Sequence, residues 1–272
     1  MKRGLWSALV GACAMAFAST LPATTATVNY TDLWWNSPAG SESGWGVNMS
    51  QQGTTLFMTF YVYGQDAKPT WIFALLRKTG ETPSGQPIFT GETDVSTGAW
   101  YGGNWGTPPF SPRTAGSITF VPKDAVSGTL TYDVDGTRVT KSIQRETFIY
   151  ENVSGSYLMT WRMTIACPAT GTQTLEFTNV GTITQTDTAF ALQETDDVGN
   201  VCTWTGTWGQ DGALGSVRGA LNCADGTNGS FTMSEIASSP IALNGRLAAS
   251  GTVNLPPPAA CTVNGTFSAL RR

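Results

Sequence analysis

Residues 44–76 read GWGVNMSQQGTTLFMTFYVYGQDAKPTWIFALL, and the alternation inside this stretch decides the fold. Residues 44–51 and 54–63 are two strand-like runs separated by Gln52-Gly53, a short glycine-containing connection of the kind that closes a hairpin. In the second run Leu56, Met58, Phe60 and Val62 fall on one face, and Phe57, Thr59, Tyr61 and Tyr63 on the other. A half-solvated strand shows one polar face. A strand apolar on both predicts cover on both sides, or an aromatic face lining a cavity. After the turn at 64–69, residues 70–76 set Trp71, Phe73 and Leu75 on one side and complete a three-strand meander.

The same pattern continues in both directions. Glycine and threonine are abundant, charged residues are sparse, and no amphipathic helix is visible between the glycine, asparagine, aspartate and proline punctuation. Further strands are expected near 87–93, 99–105, 116–122, 127–134 and 137–148, the last two joined by Asp133-Val134-Asp135-Gly136. That acidic turn lacks the further ligands and terminal glutamate of a calcium loop, and Asp-Gly is a common hairpin turn. The pattern restarts after residue 153 with runs at 155–165, 173–183, 188–194, 201–208, 215–223, 229–236, 243–250 and 261–268. The expectation is an all-β protein of two antiparallel domains, barrels or sandwiches of about eight strands each, with a boundary near residue 150. Gly44-Trp45 and Gly155-Ser156-Tyr157 stand at strand starts as a Gly-x-Trp element does in lipocalin-like small barrels, which favours closed barrels. No residue-level match between the halves is visible.

The cysteines divide the chain. None falls between Thr27 and Tyr150, while Cys167, Cys202, Cys223 and Cys261 all follow. Four cysteines allow three connectivities, and strand order narrows them. The run from Cys202 returns antiparallel through Val217 to Cys223, which places those two side by side. If the second half closes as a barrel, its last strand starts beside the end of its first, which pairs Cys167 with Cys261. A zinc site is disfavoured, because the chain has no histidine and no Cys-x-x-Cys pair.

Residues 1–26 read as a signal peptide: Lys2 and Arg3, an apolar run over 5–17, then small residues suited to cleavage near Ala26. Cys13 after Val10-Gly11-Ala12 offers a poorer alternative, a lipid-anchored protein. The domains expected are therefore 27–150, rich in aromatics, and 151–272, carrying the disulfides. Asp32-Leu33-Trp34-Trp35-Asn36 followed by Glu42-Ser43-Gly44-Trp45-Gly46-Val47-Asn48 resembles a family of secreted proteobacterial proteins of unknown function that carry a DLWWNPxESGWGVN-like segment. Here the turn before Glu42 is longer. The resemblance extends to the cysteine-containing second half. It implies a bacterial exported protein, periplasmic or extracellular, and brings no activity with it.

The chemistry is bounded first by absences. Without histidine there is no Ser-His-Asp or Cys-His nucleophile. No nucleophile elbow, P-loop or dinucleotide fingerprint stands where it would need to, so no cofactor is expected. A formal charge of −4 without clustered lysine or arginine argues against nucleic acid, and no later segment has the length and apolarity of a transmembrane helix. Two carboxylates alone suffice for glycoside hydrolysis, and Glu42 beside Trp45 is the acid to nominate, with Asp32, Glu92 or Asp94 as partner. Turn hydrogen bonding is the stronger expectation for Glu42.

Aromatics are the richer constellation. Trp34, Trp35, Trp45, Tyr61, Tyr63, Trp71, Trp100, Tyr101 and Trp105 crowd the first half, the last three in a Gly-rich loop. Flat rings on a rigid β scaffold suit stacking on sugars or apolar ligands. Trp45 and Trp71, inside strand patterns, read first as core. Trp34, Trp35, Trp100 and Trp105 read equally as core or as ligand-facing. The leading expectation is a non-enzymatic exported protein that binds a small molecule, glycan or protein through these rings; the alternatives are the Glu42 glycosidase and a purely structural envelope role.

Overall fold

The computed structural model describes residues 28–272 apart from 169, 197 and 255–257; the expected signal peptide and Cys13 lie outside the described residues. All described secondary structure is β, in sixteen strands forming two closed antiparallel barrels of eight. The first barrel comprises β1 (Asp32–Asn36), β2 (Gly46–Gln52), β3 (Thr55–Tyr63), β4 (Pro69–Glu81), β5 (Pro87–Thr97), β6 (Ser111–Pro122), β7 (Ser127–Val134) and β8 (Thr137–Arg145). The second comprises β9 (Gly155–Cys167), β10 (Gly171–Thr186), β11 (Ala189–Thr195), β12 (Val201–Asp211), β13 (Leu214–Cys223), β14 (Asn228–Ser238), β15 (Ala242–Val253) and β16 (Ala259–Arg271). Each strand pairs with the next and the last with the first, so the ladders close with Trp34 opposite Arg145 and Tyr157 opposite Arg271. Closure removes the sheet edges that an open meander would leave unpaired.

The expected strand at 99–105 is not one. Those residues belong to the connection between β5 and β6, where Gly102, Gly103, Gly106 and Pro108-Pro109 cannot sustain a ladder, and β1 takes the eighth place. The β7–β8 turn is as expected: Asp135 and Gly136 adopt φ of 51° and 78°, the left-handed pair of a two-residue hairpin. Asp135 is held by Arg113 in two hydrogen bonds of 2.6 and 2.7 Å, and this pairing keeps its carboxyl below the usual range.

Alternation fixes the interiors. Leu56, Met58 and Phe60 of β3 are fully buried with Trp34, Met49, Leu76, Phe120 and Leu130 in the first core. Trp161, Trp204, Phe231, Leu192 and Leu247 fill the second. Burying each such side chain stabilises the fold by roughly 1.5–3 kcal/mol. Of the two expectations for β3, cover on both faces is corrected, while Tyr61 and Tyr63 of its second face do line a cleft. That face is the barrel exterior, where Phe57, Tyr61 and Tyr63 stay exposed beside Trp71 and Leu75 of β4. Trp71, expected in the core, is 62% exposed because its position pairs with Tyr61, on the outward face, in the β3–β4 register.

Both barrels are closed at one end by the same arrangement. Trp34 Nε1 donates to the carbonyl of Tyr30 four residues earlier, and Tyr157 Oη donates to that of Val153, also four earlier. Arg145, at the end of β8, lies over the Trp34 ring at 5.2 Å and donates to Thr31 O; Arg271, at the end of β16, lies over Tyr157 at 5.1 Å and donates to Ser154 O. The backbone repeats it too, with Glu146 N donating to Leu33 O and Arg272 N to Ser156 O. The two halves are thus matched residue for residue at their closed ends.

Residues 146–154 join these closed ends. Asp32 Oδ2 accepts from Arg145 Nη1 at 2.8 Å and from Ala213 N, in the β12–β13 turn, at 2.9 Å, so Asp32 is a structural link between barrels and not a partner for Glu42. The other end of each barrel is its mouth. Both disulfides, Cys167–Cys261 and Cys202–Cys223, sit at the mouth of the second, in the two pairings that strand order predicts. Cys202 and Cys223 are direct cross-strand partners, and Cys167–Cys261 clamps the seam between β9 and β16.

Candidate functional site

The first barrel carries a cleft of about 510 Å³ on its outer wall, built where the 37–45 connection folds over β1–β4. Its walls are Trp35, Tyr61 and Trp71, with Trp45, Glu42 and Glu146 along its border. The sequence explains the convergence. Trp34 points inward on β1, so Trp35 points outward; Tyr61 and Trp71 are cross-strand neighbours with ring centroids 6.2 Å apart. Gly46 lies between them and leaves the backbone bare: a Cβ there would lie 3.5 Å from Trp34 O and 4.0 Å from the Tyr61 ring. Gly44, at φ +92°, lets the Tyr63 ring close on the chain, since a Cβ would sit 2.9 Å from it.

Polar groups are few and placed at the margin. Lys141 Nζ pairs with the Glu42 carboxylate and lies 5.1 Å from the Trp45 ring centroid. Trp45 Nε1 donates to Tyr132 Oη at 3.0 Å, and burial pushes the Tyr132 hydroxyl above its usual range. Desolvation also raises the Glu146 carboxyl. Trp35 Nε1 and, in the second core, Trp208 Nε1 are the buried side-chain nitrogens without an acceptor among the described residues. An unmet buried donor costs about 1–3 kcal/mol.

The nine sequence-nominated aromatics separate into three groups. Trp35, Trp45, Tyr61, Tyr63 and Trp71 all line the cleft. Trp34 does not: it is fully buried beneath the sheet, edge-on to Phe120, and belongs to the core. Trp100, Tyr101 and Trp105 project from the β5–β6 connection, exposed at 67, 83 and 79%, and line none of the cavities described here. Glu42 is at the cleft, whereas its three nominated partners are not. Asp32 holds the barrel junction, and Glu92 and Asp94 face Thr114 on the β5–β6 wall. Sequence reading missed Glu146, the second carboxylate of the cleft. Its position directly after a strand end gives no periodic signal; it reaches the cleft because β8 closes against β1.

A further cavity of about 770 Å³ occupies the mouth of the first barrel, lined by Val62, Ile72, Val95, Val134 and Val139 and reached by Trp45 and Tyr63. Fold and cleft together define a tandem of two eight-stranded antiparallel barrels with an aromatic recess on the first. Comparison with protein-family models, with curated proteins and with solved structures gives no match.

Proposed function

We propose that this is an exported protein that binds a glycan in the outer cleft of its first barrel, without catalysing a reaction. The observation that carries the reading is the convergence of Trp35, Tyr61 and Trp71 in one open recess bordered by Glu42 and Glu146. A sugar ring offers an apolar C–H face to an aromatic plane and hydroxyls at its edge to carboxylates. Two disulfides fit an oxidising compartment outside the cytoplasm. The described residues contain no helix long and apolar enough to cross a membrane. Calorimetric titration with cello- and chito-oligosaccharides tests the proposal. Binding is expected to weaken at least about tenfold in Trp71→Ala and to stay unchanged in Trp105→Ala. No heat with any oligosaccharide contradicts it.

A second reading rests on the two carboxylates. Glu42, ion-paired with Lys141, and Glu146, whose carboxyl desolvation raises, both line the cleft, and glycoside hydrolysis needs a general acid beside a second carboxylate. It predicts oligosaccharide cleavage that Glu146→Gln abolishes while binding survives. Intact oligosaccharide after prolonged incubation with the wild-type protein removes this reading and leaves the binding proposal standing.

A further inference from the structure

The second barrel holds a cavity of about 610 Å³ that opens at its mouth, within the range of small-molecule sites. Its walls are largely apolar, formed by Met163, Phe177, Trp204, Leu247 and their neighbours, and of the three carboxylates on its lining Glu194 is the buried one. Glu194 is 4% exposed and is the one buried acid among the described residues. Its position follows from β11, where Phe190, Leu192 and Glu194 alternate onto the inward face, so the chain places an acid where the pattern calls for a third apolar side chain. The corresponding mouth of the first barrel is lined by Val62, Ile72, Val95, Val134 and Val139, and its charged lining, Glu42, Arg113 and Asp135, includes a cation and no buried acid.

A buried carboxylate is costly unless hydrogen-bonded or paired with a cation. Here Trp204 Nε1 donates to Oε1 at 2.8 Å and Trp161 Nε1 to Oε2 at 3.0 Å, and the two indoles are stacked with centroids 5.4 Å apart. Asn179 also hydrogen-bonds the carboxylate, which leaves it an acceptor position beyond its three neutral partners, and among the described residues no lysine or arginine lines the cavity. The other charges are Asp196 and Asp225, both acidic. A site with aromatic walls, acid on its lining and no protein cation is electrostatically complementary to a positively charged head on an apolar body.

We propose that the second barrel binds apolar amines, the ammonium group against the cavity side of Glu194 beside Trp204 and the hydrocarbon or aromatic body along Phe177, Leu247 and Met163. The site is separate from the first-barrel cleft and the proposal does not depend on it. Access is by the mouth. Gly171–Asn179 of β10 pair with β9 alone, because β11 begins its pairing only at Val180, and this leaves a gap in the wall beside Phe177. The two disulfides brace the rest of the rim.

The test is a charge series on one body: decylamine, decanol and decanoate titrated into the full protein below their aggregation concentrations. Decylamine is expected to bind at least about tenfold more tightly than decanol and decanoate, and Glu194→Gln to bring amine and alcohol within about threefold. Equal binding of the three, tighter binding of decanoate, or an undiminished amine preference in folded Glu194→Gln overturns the proposal. A pH series on the wild type decides the matter even if that variant does not fold. Glu194 faces Trp161 from β9, Asn179 from β10, Trp204 from β12 and Asp196 beyond β11, with no cation among them. Burial raises its carboxyl above the usual range. Protonation on acidification therefore removes the charge that holds the ammonium. Decylamine binding falls with pH while decanol binding stays flat; parallel curves contradict the assignment.

Discussion

Arg145 shows what a single side chain does in this molecule. It is 3% exposed, and its guanidinium donates to Ala125 O, Thr31 O, Asn29 O and Asp32 Oδ2 while covering the Trp34 ring. Four of its five N–H donors are used, so removing the group takes the donor from three carbonyls and the cation from the Asp32 carboxylate at once. Arg145→Ala is expected to cost about 3–5 kcal/mol in urea unfolding, and Arg145→Lys to recover little, because one ammonium cannot reach partners spread around a planar fork. A loss below about 1 kcal/mol contradicts this account of closure. At this scale the sequence is only partly legible. Trp34 and Trp35 are neighbours of one type, and alternation says that they face opposite ways without saying which is inside. The core contacts of Trp34 and the outward course of Trp35 depend on β8, more than a hundred residues away. Glu194 carried a readable signal, an acid continuing the inward alternation of Phe190 and Leu192.

Among the elements, β3 was the hardest to read correctly. Both of its faces are aromatic or aliphatic, so hydrophobicity alone implies cover for both, yet a barrel wall has one inside. Leu56, Met58 and Phe60 take that place; Phe57 and Tyr61 do not, and Tyr61 with Trp71 forms part of the exposed wall that the proposed function uses. The 99–105 run misled for the opposite reason, aromatic content without an unbroken ladder. The cysteines were legible because closure of a meander dictates which strand ends meet. Their removal makes an element-level prediction. Replacing Cys167 and Cys261 by alanine frees a loop spanning 94 residues, against 21 for Cys202 and Cys223. On the chain-entropy model the first pair should cost about 1 kcal/mol more than the second. Hydrogen exchange should show both losses in β9–β16 and unchanged protection in β1–β8; equal loss in the two barrels contradicts the assignment.

Across the whole molecule, the fold class and the two sets of eight strands follow from alternation, glycine punctuation and the lack of helical periodicity. The kinship of the halves does not, because the matching atoms are backbone carbonyls and the matching side chains differ. Tyr157 stands where Trp34 does, Val153 where Tyr30 does, and only the arginines Arg145 and Arg271 are the same residue. One architecture thus appears twice with different recesses, an aromatic cleft outside the first barrel and an acid-bearing cavity inside the second. The central claim is that the first is a glycan site, and indole N–H resonances in a two-dimensional proton–nitrogen spectrum test it most directly. On addition of cellotetraose or chitotetraose, the Trp35 and Trp71 resonances are predicted to move, while those of Trp100 and Trp105 remain in place. Movement confined to Trp100 and Trp105, or a spectrum unchanged by either sugar, would contradict it.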